Sequence, residues 1–304
     1  MKGAQWAEER QAKIARAKEL LANGVRALQT SDDWRALLER IARNAQVRYR
    51  VSRYSFMNQM LVWSQAPDAM ATAGYKQWQA AGRQVRKGEK GILIVQPRPW
   101  TRAARDEEGN EVSKGGVSFG TVSVFDVAQT EGPPLDAPPP LCATLAPDAV
   151  FAFGSERLRE VALGLDGDPV SSIEVRPRGE GDPTRANGWY VRSTRAIVVI
   201  DNGNSSEMFR TLAHELGHAI LHGTGEHHDT ATKEVEAESV AFIVCHAVGL
   251  DTSGTSFPYV AHWAGSKDAG QAVVASGDRI ARAANLLLDA LHGAANATSE
   301  SEAA

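Results

Sequence analysis

The sequence predicts an α+β fold in two domains, and three observations lead there. The chain has 304 residues, 43% of them apolar, more than one core ordinarily organises. Residues 1–130 carry 21 Lys and Arg against 13 Asp and Glu, whereas residues 131–304 carry 12 against 24, so the two halves suit different partners. Between them lies "EGPPLDAPPPLCATLAP", residues 131–147, whose prolines favour an extended spacer over a helix or central strand. The expected divisions are a first domain over 1–135, a proline-rich linker over 136–147, a second domain over 148–292 and a disordered tail over 293–304, "GAANATSESEAA".

The first domain opens on "MKGAQWAEERQAKIARAKELL", a charged helical pattern with no apolar signal-peptide segment. No run approaches eighteen apolar residues, so a membrane is not an expected partner and a cytoplasmic location is expected. Cys142 and Cys245 form no ligand or disulfide pattern. Helices are expected over about 4–22, 34–45 and 55–65. "GILIVQP" and "VSFGTVSVFDVAQT" read as antiparallel strands, with "TRAARDEEGNEVSKG" as a polar hairpin loop. Basic and aromatic residues interleave here: Arg48, Tyr49, Arg50, Arg53 and Tyr54, then Asn58, then Tyr75, Trp78, Arg83, Arg86, Lys87 and Lys90. Positive charge follows phosphates and flat rings stack unpaired bases, so this set predicts binding of single-stranded nucleic acid. No helix-turn-helix or zinc-finger pattern argues for duplex readout. The competing reading is that Trp34, Trp63 and Trp78 are core and the basic faces merely solvated.

In the second domain "GWYVRSTRAIVVID" reads as a hairpin whose second arm, 196–200, is a buried strand. "NGNSSEMFRTLAHELGHAILHG" follows as a helix, with a capping-box-like start at Asn204 and Glu207 and a stop at Gly223. At about 100° per residue, His214 and His218 lie about 40° apart on one face, so two imidazoles can bind one ion. Glu215, turned about 100° away, suits a general base for an ion-activated water in peptide hydrolysis. The plain alternative is a buried helix whose histidines are ordinary satisfied polar groups. "TATKEVEAESVAFIVCHAVGL" predicts a second helix supplying Glu234 as third ligand and Glu238 as the acid that orients a histidine. Glu236 points elsewhere and is expected to serve the helix N-terminus. His222, about 80° and 12 Å along from His214, is not expected to ligate the same ion. Tyr190 and Tyr259 are expected in the core.

"TLAHELGHAILH" followed by "KEVEAESVAFIV" resembles the ImmA/IrrE group of gluzincin-like metallopeptidases. The resemblance implies a zincin-like domain with His214, His218 and Glu234 as ligands, Glu215 as base and Glu238 as orienting residue, where that group usually has Asn or Asp. "YSFMNQMLVWSQAP", "GYKQWQAAGRQVRKGEKGILIVQP" and "VFDVAQTEGPPL" resemble the N-terminal single-stranded-DNA-binding domain of ArdC-type antirestriction proteins. It implies protection of a mobile element's DNA from restriction. The other function in view is a regulatory zinc metalloprotease that cleaves a repressor or another protein partner. Zinc is the expected ion, with manganese and cobalt accepted by the same donor set.

Overall fold

The computed structural model describes residues 2–28, 30–47, 54–105, 111–135, 146–163, 170–183, 185–223, 229–255, 257 and 269–302. The chain divides into two compact units, one of residues 1–27 and 51–134, the other of 28–50 and 135–304. One division falls between 134 and 135, and the first unit is not contiguous. Residues 28–50 pack with the second unit instead.

In the first unit, α1 (Lys2–Ala27) packs on α3 (Phe56–Gln65), and α4 (Tyr75–Ala80) follows. A three-stranded antiparallel sheet has the order β1 (Thr72–Ala73), β4 (Glu111–Asp126), β3 (Ile92–Arg105), and β2 (Gln84–Val85) pairs with β5 (Thr130–Glu131). The core gathers Val62, Ala69, Ile92, Ile94 and Val124. Two amides on α3 complete the open edge of β3. Asn58 bonds both the N–H and the carbonyl of Val95, at 2.9 and 2.8 Å, and Gln65 does the same for Leu93, at 3.0 and 2.9 Å. Odd-numbered residues of β3 therefore turn their N–H groups outward, and Pro97 and Pro99, which have none, continue that series past the helix. At those two positions the edge offers no donor to a further strand.

Residues 101–105 and 111–115 of the expected polar loop are strand instead: β3 and β4 pair in register from Ile92 opposite Val124 to Arg105 opposite Glu111. Alternation continues through "RPWTRAAR", and the charges there are tolerated because that part of the ribbon is solvated on its faces.

In the second unit, β6 (Ser172–Arg176) runs parallel to β8 (Ala196–Ile200), which is antiparallel to β7 (Gly188–Val191), giving the order β6-β8-β7. Helix α6 (Ser205–His222) packs on β7 and β8, and α5 (Pro147–Leu163), α7 (Thr230–Val248) and α8 (Ala269–Glu302) pack against α6. Central α7 is apolar nearly all round, as a helix covered on several sides must be. One of its covers is α2 (Ser31–Val47), whose Trp34, Leu37, Leu38 and Ile41 form a buried stripe. Trp34 donates its indole N–H to Ser239 Oγ at 2.9 Å. At the start of α6 the Asn204 side chain accepts from the Glu207 N–H at 3.1 Å, while the Glu207 carboxylate takes Asn187 and Asn202 in place of closing the capping box. The expected tail is helical as far as Glu302, because an alanine-rich segment without proline continues a helix already nucleated upstream.

Trp34→Ala is expected to destabilise the second unit by about 3–5 kcal/mol while leaving the unfolding of the first unchanged. Urea unfolding of the full chain, followed by separate probes for each unit, measures both.

Candidate functional site

The second unit builds its site on the crossing of α6 and α7. A Cβ on Gly217 would lie 3.0 Å from Ala237 Cα, so only glycine lets the two backbones come this near. Glu234 and Glu238, on either side of Ala237, then reach the histidines. His214 Nε2 and His218 Nε2 are 3.1 Å apart, and the Glu234 oxygens lie 3.6 and 3.5 Å from them. Each residue offers one donor atom, all within 4.8 Å of one another. Donors about 2 Å from one tetrahedral centre are about 3.3 Å apart, so the three fit a common divalent ion without large movement.

The outer side of each ring is held. His214 Nδ1 is 3.1 Å from Glu238 Oε2, and Arg210 ion-pairs with the same carboxylate. His218 Nδ1 is 3.1 Å from His222 Nδ1, and His222 Nε2 is 3.0 Å from Glu236 Oε2. Glu236 does not serve a solvated helix end. It is completely buried, its second oxygen accepting from Ser276 Oγ at 2.6 Å and from Arg279, both on α8.

The base candidate is buried too. Burial raises the Glu215 carboxyl to about 7, against the pull of His214 and a hydrogen bond from the Tyr190 N–H. Burial lowers His214, but bonds to Glu234 and Glu238 outweigh it and raise the imidazole to about 9. Burial, then the charge on His214, lowers His218 to about 4. Edge strand β7 lies against α6 because residue 188 is glycine: a Cβ there would meet Thr211 Cγ2 at 2.5 Å and Val198 O at 2.7 Å. Between them opens a cleft of about 570 Å³, lined by Gly188, Tyr190, His214, Glu215, His218 and Glu234 among others. Tyr190 is thus a half-buried cleft residue and not core, and Tyr259 lies outside the described residues.

The first-unit candidates separate into two groups, while Arg48, Tyr49, Arg50 and Arg53 lie outside the described residues. Trp78 is fully buried with its N–H on Phe125 O at 2.9 Å, so it is core and stacks no base here. Asn58 is buried on β3, as described above. Arg83 is buried on Thr130 Oγ1 at 2.8 Å and on the Gly132 carbonyl at 3.1 Å, clamping the chain end of the unit. Tyr54 donates its hydroxyl to Thr72 O at 3.0 Å beside the core. The four were grouped by type alone, which does not reveal which faces are covered. Tyr75 (44% exposed), Arg86, Lys87 and Lys90 remain at the surface, three of them around a shallow cavity with Val85, Glu89 and Phe125. Arg86 is tied to Glu89 at 2.8 Å and to Ala128 O at 2.6 Å.

The β3–β4 ribbon supplies residues that reading by type missed. Trp100 is 39% and Phe119 54% exposed, and the Arg102 guanidinium lies 5.3 Å over the Trp100 ring. Glycines open the facing strand: a Cβ on Gly116 would meet Trp100 at 2.7 Å, and one on Gly120 would meet Arg98 at 2.5 Å. The signal was alternation, in "RPWTR" against "GGVSFG".

Comparison with known proteins falls on the same two parts. Residues 8–125 match the N-terminal domain of anti-restriction factor ArdC, and residues 177–253 match Peptidase_M78, the IrrE N-terminal-like domain. The chain is thus similar to ArdC over its first part and to IrrE-like peptidases over its second. The ArdC match spans α2 although that helix packs in the second unit, and the M78 match ends before α8. An uncharacterized Bacillus anthracis protein, pXO2-81, is 30% identical over 70% of this chain, which spans 41% of that relative's length. Two crystal structures of the antirestriction ArdC protein from the R388 plasmid are also similar. The metal-free form is 23% identical, covers 79% of this chain and 86% of its own, and has a TM-score of 0.47. The Mn(II)-bound form is 20% identical, covers 84% and 96%, and has the same TM-score. No helix among the described residues is long and apolar enough to cross a membrane.

In the ion-free protein at pH 7, His214 is expected to carry a proton, since its pKa of about 9 lies above the solution pH, and His218 to be neutral, since its pKa of about 4 lies below it. Histidine NMR titration between pH 4 and 10 checks both.

Proposed function

We propose that the M78 domain is a divalent-ion-dependent peptidase and that the ArdC domain binds single-stranded DNA, the whole protecting a mobile element's DNA from restriction. The observation that carries the first part is the convergence of His214, His218 and Glu234 beside a buried Glu215 whose pKa is about 7. His214, His218 and Glu234 hold the ion, and zinc is the ion this donor set and neighbouring base suit best. The ion supplies a Lewis acid that polarises a carbonyl and acidifies water. Glu215 takes the proton from the attacking water and passes it to the leaving amine, a role that a pKa near the operating pH favours. The Tyr190 N–H holds that carboxylate, and edge strand β7 offers an extended peptide a backbone to pair with.

For DNA, the supporting residues are Tyr75, Arg86, Lys87 and Lys90 together with Arg98, Trp100 and Arg102 on one face of the ribbon. Exposed rings stack bases and the arginines and lysines follow phosphates. The net charge of −4 belongs to the whole chain, whereas residues 1–130 carry the excess of Lys and Arg that attracts a polyanion.

Two measurements test the parts separately. Glu215→Gln is expected to retain a stoichiometric ion while losing roughly a thousandfold or more of peptide hydrolysis, read on a fluorogenic peptide library with the ion loaded. Equal hydrolysis by wild type and variant removes the peptidase reading. In fluorescence anisotropy with a labelled oligonucleotide, Trp100→Ala is expected to weaken single-strand binding by about 1–3 kcal/mol, and added salt to weaken the wild type steeply. Indifference to both removes the DNA reading.

A further inference from the structure

Each histidine of the triad meets a carboxylate–arginine pair, but by routes of different length. His214 meets Glu238, paired with Arg210, directly. His218 meets Glu236, paired with Arg279, through His222. We infer that His222 and Glu236 position His218 as a ligand, and that through Ser276 and Arg279 they tie ion binding to the docking of the C-terminal helix α8. This rests on the reading that the ion sits on His214, His218 and Glu234.

The relay is an ordered placement of protons. His218 Nε2 faces His214 Nε2 at 3.1 Å and Glu234 at 3.5 Å, so that nitrogen must keep its lone pair if it is to ligate. The His218 proton then sits on Nδ1, 3.1 Å from His222 Nδ1. Only one of those two nitrogens can carry a proton in a hydrogen bond. His222 Nδ1 therefore accepts, and the His222 proton sits on Nε2, where it is donated to Glu236 Oε2 at 3.0 Å. An ionised Glu236 is a pure acceptor and, of the two neutral tautomers of His222, admits this one alone. Its other oxygen takes Ser276 Oγ at 2.6 Å and the Arg279 guanidinium, which keep it an anion inside the protein. Were His222 to carry its proton on Nδ1 instead, His218 would accept there and present N–H to the ion. Arg279 thus sets, three hydrogen bonds away, which nitrogen of His218 carries the proton and which keeps the lone pair.

Burial makes the relay strong. Glu236 is fully buried and His222 nearly so, and bonds desolvated in this way cannot be replaced by water when broken. Ser276 and Arg279 lie beyond residues 177–253, so this contribution comes from outside the matched peptidase domain. The residues are positioning residues, since none of the four reaches the ion-facing nitrogens. Because coupling is reciprocal, the ion must stabilise α8 by the same factor by which α8 strengthens ion binding.

The full chain tests this with zinc and a chromophoric chelator in competition. His222→Leu, which keeps bulk and removes the acceptor, is expected to weaken zinc binding by roughly 10- to 100-fold, with Arg279→Met close behind and His222→Gln restoring most of the affinity. Long-range nitrogen NMR of the ion-free wild type is expected to show His218 protonated at Nδ1 and His222 at Nε2. Saturating zinc is expected to raise hydrogen-exchange protection in α8 by the same roughly 10- to 100-fold. A folded His222→Leu chain with wild-type affinity, a His218 proton on Nε2, or α8 protection unmoved by zinc overturns the relay. The last two use the unaltered chain and decide the matter even where a variant fails to fold. Absence of zinc binding by the wild type sinks the ion reading itself, and the tautomers in the ion-free chain then still show whether the relay exists.

Discussion

Where α6 crosses α7, Gly217 lies so near Ala237 that a Cβ would stand 3.0 Å from its Cα, and the chemistry of the second unit is built on that close crossing. Two helices at this spacing place a glutamate of one within ligand distance of two histidines of the other. A Cβ at 217 would have to displace Ala237 by a few tenths of an ångström, a shift of the same order as the about 0.2 Å by which ligand distances vary. Gly188 plays the matching part on the other wall, letting β7 sit on α6 so that the Tyr190 N–H meets Glu215.

Charge is organised around the same crossing. Four glutamates lie within the site, which would repel one another in a desolvated setting without compensation. Glu238 is balanced by Arg210 and Glu236 by Arg279, both held below the usual carboxylate range although burial opposes it. Glu234 is lowered chiefly by its bond to His214. Glu215 alone is raised, because it has burial without a cationic partner of its own. Helix α7 thus carries anions for holding and α6 a weaker acid for proton transfer, separated by their surroundings and not by residue type.

The sequence showed what periodicity encodes. His214 and His218 share a face because of their spacing, Glu238 reached His214 as the second helix required, and the strand over 196–200 is where its apolar run placed it. What stayed hidden depends on tertiary partners. The stripe on α2 states that the helix is covered but not by what, and Trp34 turned out to belong with Ser239, 205 residues away. Trp78 and Trp100 look alike in sequence, yet one is sealed in the core and the other lies across Gly116 at the surface. Asn58 looked like a polar surface residue because nothing local announces a strand edge waiting for its amide. Glu236 was read from its place near a helix start, whereas its fate was decided by Arg279 on a helix 43 residues further along.

The most direct test of the account is equilibrium dialysis of purified full-length protein against zinc, manganese and cobalt, with elemental analysis of wild type and Glu234→Ala. The account predicts one divalent ion per wild-type chain and a loss of affinity of roughly tenfold or more in the variant. Less than one ion per chain in the wild type, or undiminished binding in Glu234→Ala, would contradict it.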